Sequence, residues 1–281
     1  METLLTTQEA AQRAGVGPTA IKRWADAGLL PCVKTAGGHR RFTERDLLAF
    51  LSAQASGGEL RGGEHGELTA WLELLLEAEA GQEVEAQLLL LRGRHGAWYR
   101  VAPFVGAVLV EIGARWERGE LSVIQEHFAS ERLLRAITRL SEAAPVASDA
   151  PLALLTVAPD DDHVLGLALV ELCMREAGVR TRWSGPNTPV EDIEAFVRNG
   201  GAELLAVSAS RASTDKRLLE RWVRRVGAAC EACGVQLLLG GEGPWPETPR
   251  YGTRLRTFDE LRAFLAGMQQ RATRRAGAQA T

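Results

Sequence analysis

The strongest constraint on the fold lies after residue 150. Here four short apolar runs, "LALLTVA", "VRTRW", "ELLAVSA" and "VQLLLGG", alternate with amphipathic stretches that begin near 164, 189, 214 and 257. Runs this short and this apolar read as strands buried on both faces, and the intervening stretches carry helical period. A strand-helix-strand order of this kind leads to a parallel sheet covered by helices, a doubly wound α/β domain over 150–270 of flavodoxin-like (Rossmann-like) type.

Upstream the pattern is different. From 67 to 143 the sequence contains one proline, Pro103, and long runs at helical period such as "LTAWLELLLEAEA". This predicts a four-helix bundle over 67–145. The stretch "SGGELRGGEHGEL" before it has linker composition, placing a linker at 56–66. Residues 1–55 carry seven Lys/Arg against five Asp/Glu, a basic segment within a chain of net charge -3. That average argues against coating by nucleic acid but is compatible with one basic face. The terminal "QQRATRRAGAQAT" places a frayed tail at 271–281.

The N-terminus "METLLTTQEAAQ" lacks the charged and apolar blocks of a secretory signal, and no apolar run approaches the ~20 residues needed to span a bilayer. A cytoplasmic protein with no membrane partner is expected. Four cysteines in apolar or helical settings suggest reduced thiols. Cys230 and Cys233 form a single Cys-x-x-Cys near a helix end, without a second ligand pair, and read as core packing.

In the basic segment, "TTQEAAQRAGVGPTAIKRWADAGLL" reads as helix, tight turn, helix. Thr6 or Thr7 caps the first helix, Gly15 breaks it and Pro18 opens the second. Ile21 and Trp24 then face inward, and Thr19, Lys22 and Arg23 form the polar face that such a motif directs at the major groove. In "KTAGGHRRF" a glycine pair allows a tight turn that presents His39, Arg40 and Arg41 to phosphates. His39 reads equally well as a turn-stabilising residue. This segment resembles the winged helix-turn-helix DNA-binding domain of MerR-type regulators, whose partner is double-stranded operator DNA.

"APDDDHVLGLALVELC" places a histidine among carboxylates where a strand gives way to a helix. Ligands of doubly wound sheets bind beyond the carboxyl ends of the strands. An imidazole there can give one nitrogen to a metal while a carboxylate holds the other, and Asp161 is two residues from His163. Gly166 lacks the Cβ that would keep a bulky planar ligand away. The pattern Asp161-x-His163-x-x-Gly166, with Ser208 after 41 intervening residues and Gly240-Gly241 later, resembles the cobalamin-binding domain of methionine synthase, base-off mutases and corrinoid carriers. The resemblance implies that His163 is the lower axial ligand of cobalt. It also implies that Ser208 and the diglycine line the channel for the displaced nucleotide tail, beside the loop "GPNTP". The family's leucine two residues after Ser208 is Ser210 here, a departure expected to alter one tail contact.

In the bundle, Trp116 precedes the pair Glu126-His127 by nine residues, with Gly119 between as a turn. Together with the following domain, this resembles the CarH-type and LitR-type photoreceptors, in which the bundle caps the upper face of adenosylcobalamin. Trp116, Glu126 and His127 are then upper-face contacts. The residue after the family's tryptophan is a cobalt-capturing histidine, and here it is Glu117. The resemblance implies a non-enzymatic, cobalamin-controlled transcriptional regulator that represses as a homo-oligomer, dimer or tetramer, and responds to light. Methylcobalamin is the alternative cofactor. The alternative functions are a light-independent sensor of cobalamin or another ligand, and, from the enzyme class, a corrinoid methyl-transfer protein.

Overall fold

The computed structural model describes residues 4–14, 18–26, 30–35, 37–47, 64–77 and 81–279. The chain divides into two compact units, Met1–Ala136 and Ile137–Thr281. The boundary falls inside a helix rather than in the 146–149 connection.

In the first unit, β1 (Leu4–Thr6) leads directly into α1 (Thr7–Ala14), and α2 (Pro18–Asp26) follows. Thr6 is the cap: its Oγ1 accepts from the Glu9 amide at 3.2 Å while Glu9 Oε2 accepts from the Thr6 amide at 2.7 Å. This reciprocal box satisfies two amides that the helix itself leaves free. These bonds hold the Glu9 carboxyl below the ordinary range. Proline opens α2 as expected, and Gly15 lies outside the described residues. β2 (Val33–Lys34) and β3 (Arg40–Thr43) form the wing, and β1 pairs with β3 to complete a sheet of order β1-β3-β2. Strand β1 was not anticipated, because three residues are too few for a period-two pattern. Leu5, Ile21, Trp24, Leu30, Phe42 and Leu47 pack together as the core of this segment.

Helices α3 (Glu64–Leu76), α4 (Gly81–His95), α5 (Trp98–Glu117) and α6 (Val123–Ala143) follow. Helix α3 begins within the expected linker, the rest of which lies outside the described residues. Trp71 meets Phe104 edge to face at 6.0 Å, and Leu75, Val84, Leu88, Val105 and Ile112 are buried. Each such side chain contributes about 1.5–3 kcal/mol by leaving water.

The second unit holds the α/β domain: β4 (Leu152–Val157), α7 (Leu165–Glu176), β5 (Arg180–Trp183), α8 (Val190–Arg198), β6 (Leu204–Ser208), α9 (Lys216–Cys233), β7 (Gln236–Gly240), β8 (Thr253–Arg254) and α10 (Phe258–Gln279). The sheet is parallel throughout, in the order β5-β4-β6-β7-β8. The four anticipated strands are present. β8 is a two-residue addition at the edge, again too short to read from a pattern. β6 is buried along its whole length, as a central strand of a two-sided sheet must be. One face is covered by α8 and α9 through Ile193, Val197, Leu219, Trp222 and Val226. Asp215 caps α9 by accepting from the Leu218 amide at 2.9 Å.

Two expectations are corrected. Helix α10 continues to Gln279, so the backbone of the expected frayed tail is helical up to that residue. Of the cysteine pair, Cys230 is buried in the core, where burial first and then Cys233 push its thiol up to about 12, but Cys233 is exposed. Cys233 is the last residue of α9, next to the Gly234 cap, where the helix end leaves its side chain exposed.

Candidate functional site

The strand order places the chain reversal at β4, whose neighbours β5 and β6 leave it in opposite directions along the sheet. Loops after β4 and β6 therefore part at their carboxyl ends, opening a crevice. The β4 loop is tied to β6 at its start, with the Ala158 amide donating to the Ser208 carbonyl at 2.8 Å. Asp160 then adopts φ 60°, a left-handed turn that a short polar residue tolerates.

That turn carries the Asp161 carboxylate inward, where its side chain is fully buried. Five donors meet it. Oδ1 accepts from the His163 amide at 3.0 Å, His163 Nδ1 at 3.0 Å and Ser210 Oγ at 3.0 Å. Oδ2 accepts from the Ser210 amide at 2.6 Å and Ser213 Oγ at 2.6 Å. Burial pushes this carboxyl up, but the bonds from Ser213, Ser210 and the His163 amide outweigh burial and hold it below the ordinary range. An ionised carboxylate only accepts, so Nδ1 of His163 carries a proton, and in the neutral ring this leaves the lone pair on Nε2. The His163 side chain is 66% exposed. The arrangement is an exposed imidazole whose Nδ1 is held from behind by a buried carboxylate.

Gly166 begins the second residue of α7, exposed, and a Cβ there would lie 3.9 Å from Ser208 Oγ. Ser208 ends β6 in register with Val157 on one side and Gly240 on the other, so the expected channel residues do share one end of the sheet. The diglycine has a second duty. Gly241, at φ +81°, is so close to the next loop that a Cβ would meet the Ala209 carbonyl oxygen at 2.2 Å. Its missing side chain is required by the chain itself. In the "GPNTP" loop, Asn187 Nδ2 donates to Asp162 Oδ1 at 3.1 Å and so links that loop to the histidine loop.

Ser210 and Ser213 are the functional positions that sequence reasoning missed. Ser210 looked like a lost leucine contact, yet it touches both oxygens of the carboxylate. The run "SASRAST" of small hydroxyl residues was the available signal. Among the described residues no group of three His, Cys, Asp or Glu side chains could hold a bare metal ion. A corrin brings four nitrogens of its own, so one exposed, oriented imidazole beside an uncrowded glycine fits cobalamin.

In the first unit, Trp116 sits in the last turn of α5 and Glu126-His127 in the first turns of α6, on either side of a bend through Gly119 at φ +72°. Glu126 accepts from Ser130 Oγ at 2.7 Å and faces His127 Nε2 at 3.5 Å. Trp116, Val123, Ile124 and Phe128 are each about half exposed. Apolar side chains gathered around one turn mark a contact surface more than scattered ones would.

The wing turn is closed by the Gly38 amide on the Thr35 carbonyl at 2.8 Å, with Gly38 at φ 78°. The His39 amide donates to Thr35 Oγ1 at 3.2 Å, while the His39 side chain is exposed. Arg40 and Arg41 lie on β3, half-buried. Lys22 is exposed on α2, and Ile21 and Trp24 are buried as expected. The side chains of Thr19 and Arg23 lie outside the described set.

Comparison with known proteins finds two family matches in the chain. A helix-turn-helix domain family matches residues 4–55, and a B12 binding domain family matches residues 104–141, the segment that holds Trp116, Glu126 and His127. The two matches define the class: a helix-turn-helix protein with a B12-binding region. The chain is similar to the HTH-type transcriptional repressor CarH of Myxococcus xanthus. Identity is 26% over 282 residues, spanning 83% of this chain and 94% of the relative. Among solved structures, the monomethylamine corrinoid protein of Methanosarcina barkeri superimposes with a TM-score of 0.50 at 16% identity. It covers 69% of this chain and 95% of its own. That likeness is one of fold alone.

No helix of the described residues is long and apolar enough to cross a membrane.

Proposed function

We propose that this chain is a cytoplasmic DNA-binding transcriptional repressor whose operator occupancy is set by cobalamin held on His163. One observation carries the reading: a buried carboxylate with five donors holds Nδ1 of an otherwise exposed His163 ring at the switch point of the sheet. An oriented imidazole aimed at solvent is costly to build and has no role in packing.

His163 would hold cobalt from below, Asp161 would keep the ring in its tautomer, and Gly166 would leave the approach open. Ser208, Gly240 and Gly241 would border the nucleotide tail. Trp116, Glu126 and His127 would contact the upper ligand, which favours the adenosyl form over the methyl form. Adenosylcobalamin, when bound, supplies a cobalt–carbon bond that green light can break. On the DNA side, the α2 residues Thr19, Lys22 and Arg23 would face the major groove, and His39, Arg40 and Arg41 of the wing would meet phosphates. Operator affinity rises steeply with the number of DNA-binding domains engaged at once, so a change in homo-oligomer size is an effective control. Nothing in this scheme requires the chain to act as an enzyme.

Purified protein mixed with adenosylcobalamin should take the absorbance of histidine-ligated cobalt, and His163→Ala should lose it. Gel filtration of the complex in the dark and after green light should show a change in oligomer size. An identical profile sinks the light response and leaves the cobalamin sensor standing; retention of the histidine-ligated spectrum by His163→Ala sinks the site.

A further inference from the structure

We propose that Ser210 is a positioning residue that weakens the lower ligand: it competes with His163 for one carboxylate oxygen and lowers the electron-donating power of the imidazole. This inference rests on the cobalamin reading of His163. It starts from how the five donors are divided. Ser213 Oγ binds Oδ2, which the imidazole does not touch, whereas Ser210 Oγ binds Oδ1, the oxygen that accepts from His163 Nδ1.

The Ser210 hydroxyl is itself fixed. Its oxygen accepts from the Ala212 amide at 3.1 Å, so its proton is left to point at Oδ1, 3.0 Å away. Oδ1 therefore divides its negative charge among three donors. Each added donor makes an oxygen a poorer acceptor for the others, and a histidine held by a weaker acceptor has less imidazolate character and is a weaker metal ligand. A leucine at this position, as in the cobalamin-binding pattern, would leave Oδ1 to His163 alone.

A purely structural role predicts the opposite sign. If Ser210 Oγ served to hold Asp161 in place, removing it would loosen the ring and weaken the ligand. The geometry decides between the two, because four donors remain without that hydroxyl. The Ser210 amide and Ser213 Oγ still hold Oδ2, and the His163 amide and Nδ1 still hold Oδ1. The carboxylate stays oriented, so the electronic effect is the one exposed.

The test uses the full-length chain as wild type, Ser210→Leu, Ser210→Ala, Ser210→Thr and Ser213→Ala. In the cofactor-free protein, the His163 Nδ1 proton resonance reads the strength of its bond to Asp161. It should move downfield in Ser210→Leu and Ser210→Ala and return in Ser210→Thr, which restores a hydroxyl. With bound cob(II)alamin, the Co(II)/Co(I) midpoint potential reads axial donation, since Co(I) does not keep an axial nitrogen. Ser210→Leu should hold the imidazole about three- to tenfold more firmly, a potential about 30–60 mV more negative. Ser213→Ala should shift it less. An unchanged or upfield proton, or a potential that is unchanged or moves positive, overturns the proposal. If instead wild type fails to bind cob(II)alamin, the cofactor reading falls, while the proton resonance still decides what Ser210 does to His163.

Discussion

Gly241→Ala is the sharpest test of how the sheet end is built, with Gly234→Ala as its control. Both glycines have left-handed backbone, φ +81° and φ +70°. An alanine therefore costs about 1–2 kcal/mol at either position. They differ in surroundings. Gly234 caps α9 with nothing within 4 Å of a built Cβ. At Gly241 the Cβ would lie 2.2 Å from the Ala209 carbonyl oxygen and 2.9 Å from Ser208 Oγ, so backbone must move. Overpacking of this kind adds about 1–3 kcal/mol, for a total of about 2–5 kcal/mol. Since the chain has two compact units, a global unfolding curve mixes transitions, and a local probe is better. The amides of Ala209 and Gly243 donate to the Gly240 and Ala209 carbonyls at 3.1 and 2.8 Å across this contact. Their hydrogen exchange should accelerate about 5- to 150-fold more in Gly241→Ala than in Gly234→Ala, from tenfold per ~1.4 kcal/mol. Because Ser208 and Ser210 ride on the displaced segment, cobalamin affinity should fall in Gly241→Ala alone. Equal exchange in the two variants would refute the steric argument.

Two further outcomes are expected. The folded Asp161 carboxyl lies below its unfolded value, so its contribution to stability is complete above the unfolded pKa of about 3.9 and is lost as pH falls through the folded value. The stability gap between wild type and Asp161→Asn, read by hydrogen exchange of amides in the α/β domain, should therefore hold near neutrality and close in acid, and a gap that does not change with pH would contradict it. Lys22→Ala should weaken operator binding and reduce the salt dependence by about one counterion, while a merely solvated lysine would change neither.

What was legible in the sequence follows from range. Asp161, His163 and Gly166 lie within six residues, so local spacing exposed them, and periodicity exposed the four strands that carry the crevice. Ser210 and Ser213 reach Asp161 from 49 and 52 residues away, through the pairing of β4 with β6. No local pattern carries that contact; a leucine replaced by serine looked like a loss until the register brought it to the carboxylate. Gly241 shows the converse. Its place in a cofactor pattern was legible, but its duty toward the Ala209 carbonyl depends on a contact between two loops that only the folded sheet defines. The edge strands β1 and β8 escaped for another reason: three and two residues cannot display alternation.

Glu117 separates the two halves of the functional reading. It is the last residue of α5, where helix carbonyls point outward and a negative side chain is opposed by about 0.3–1 kcal/mol. The neighbouring charges are paired among themselves, Arg115 with Glu111 and Arg118 with Glu120, and among the described residues no ion pair involves Glu117. Helix stability thus gives no reason for a carboxylate here, and a histidine would suit the helix end better. A carboxylate is also a poorer ligand than an imidazole for this cobalt. Capture of cobalt from above by a histidine right after Trp116, which the family resemblance implies, is therefore not available to this chain. The proposed ligand holding is unaffected, because it would rest on Asp161 and His163 in the second compact unit. On the proposed reading, cobalamin binding and a response to light would be separable, and any such response would have to run through a group other than residue 117.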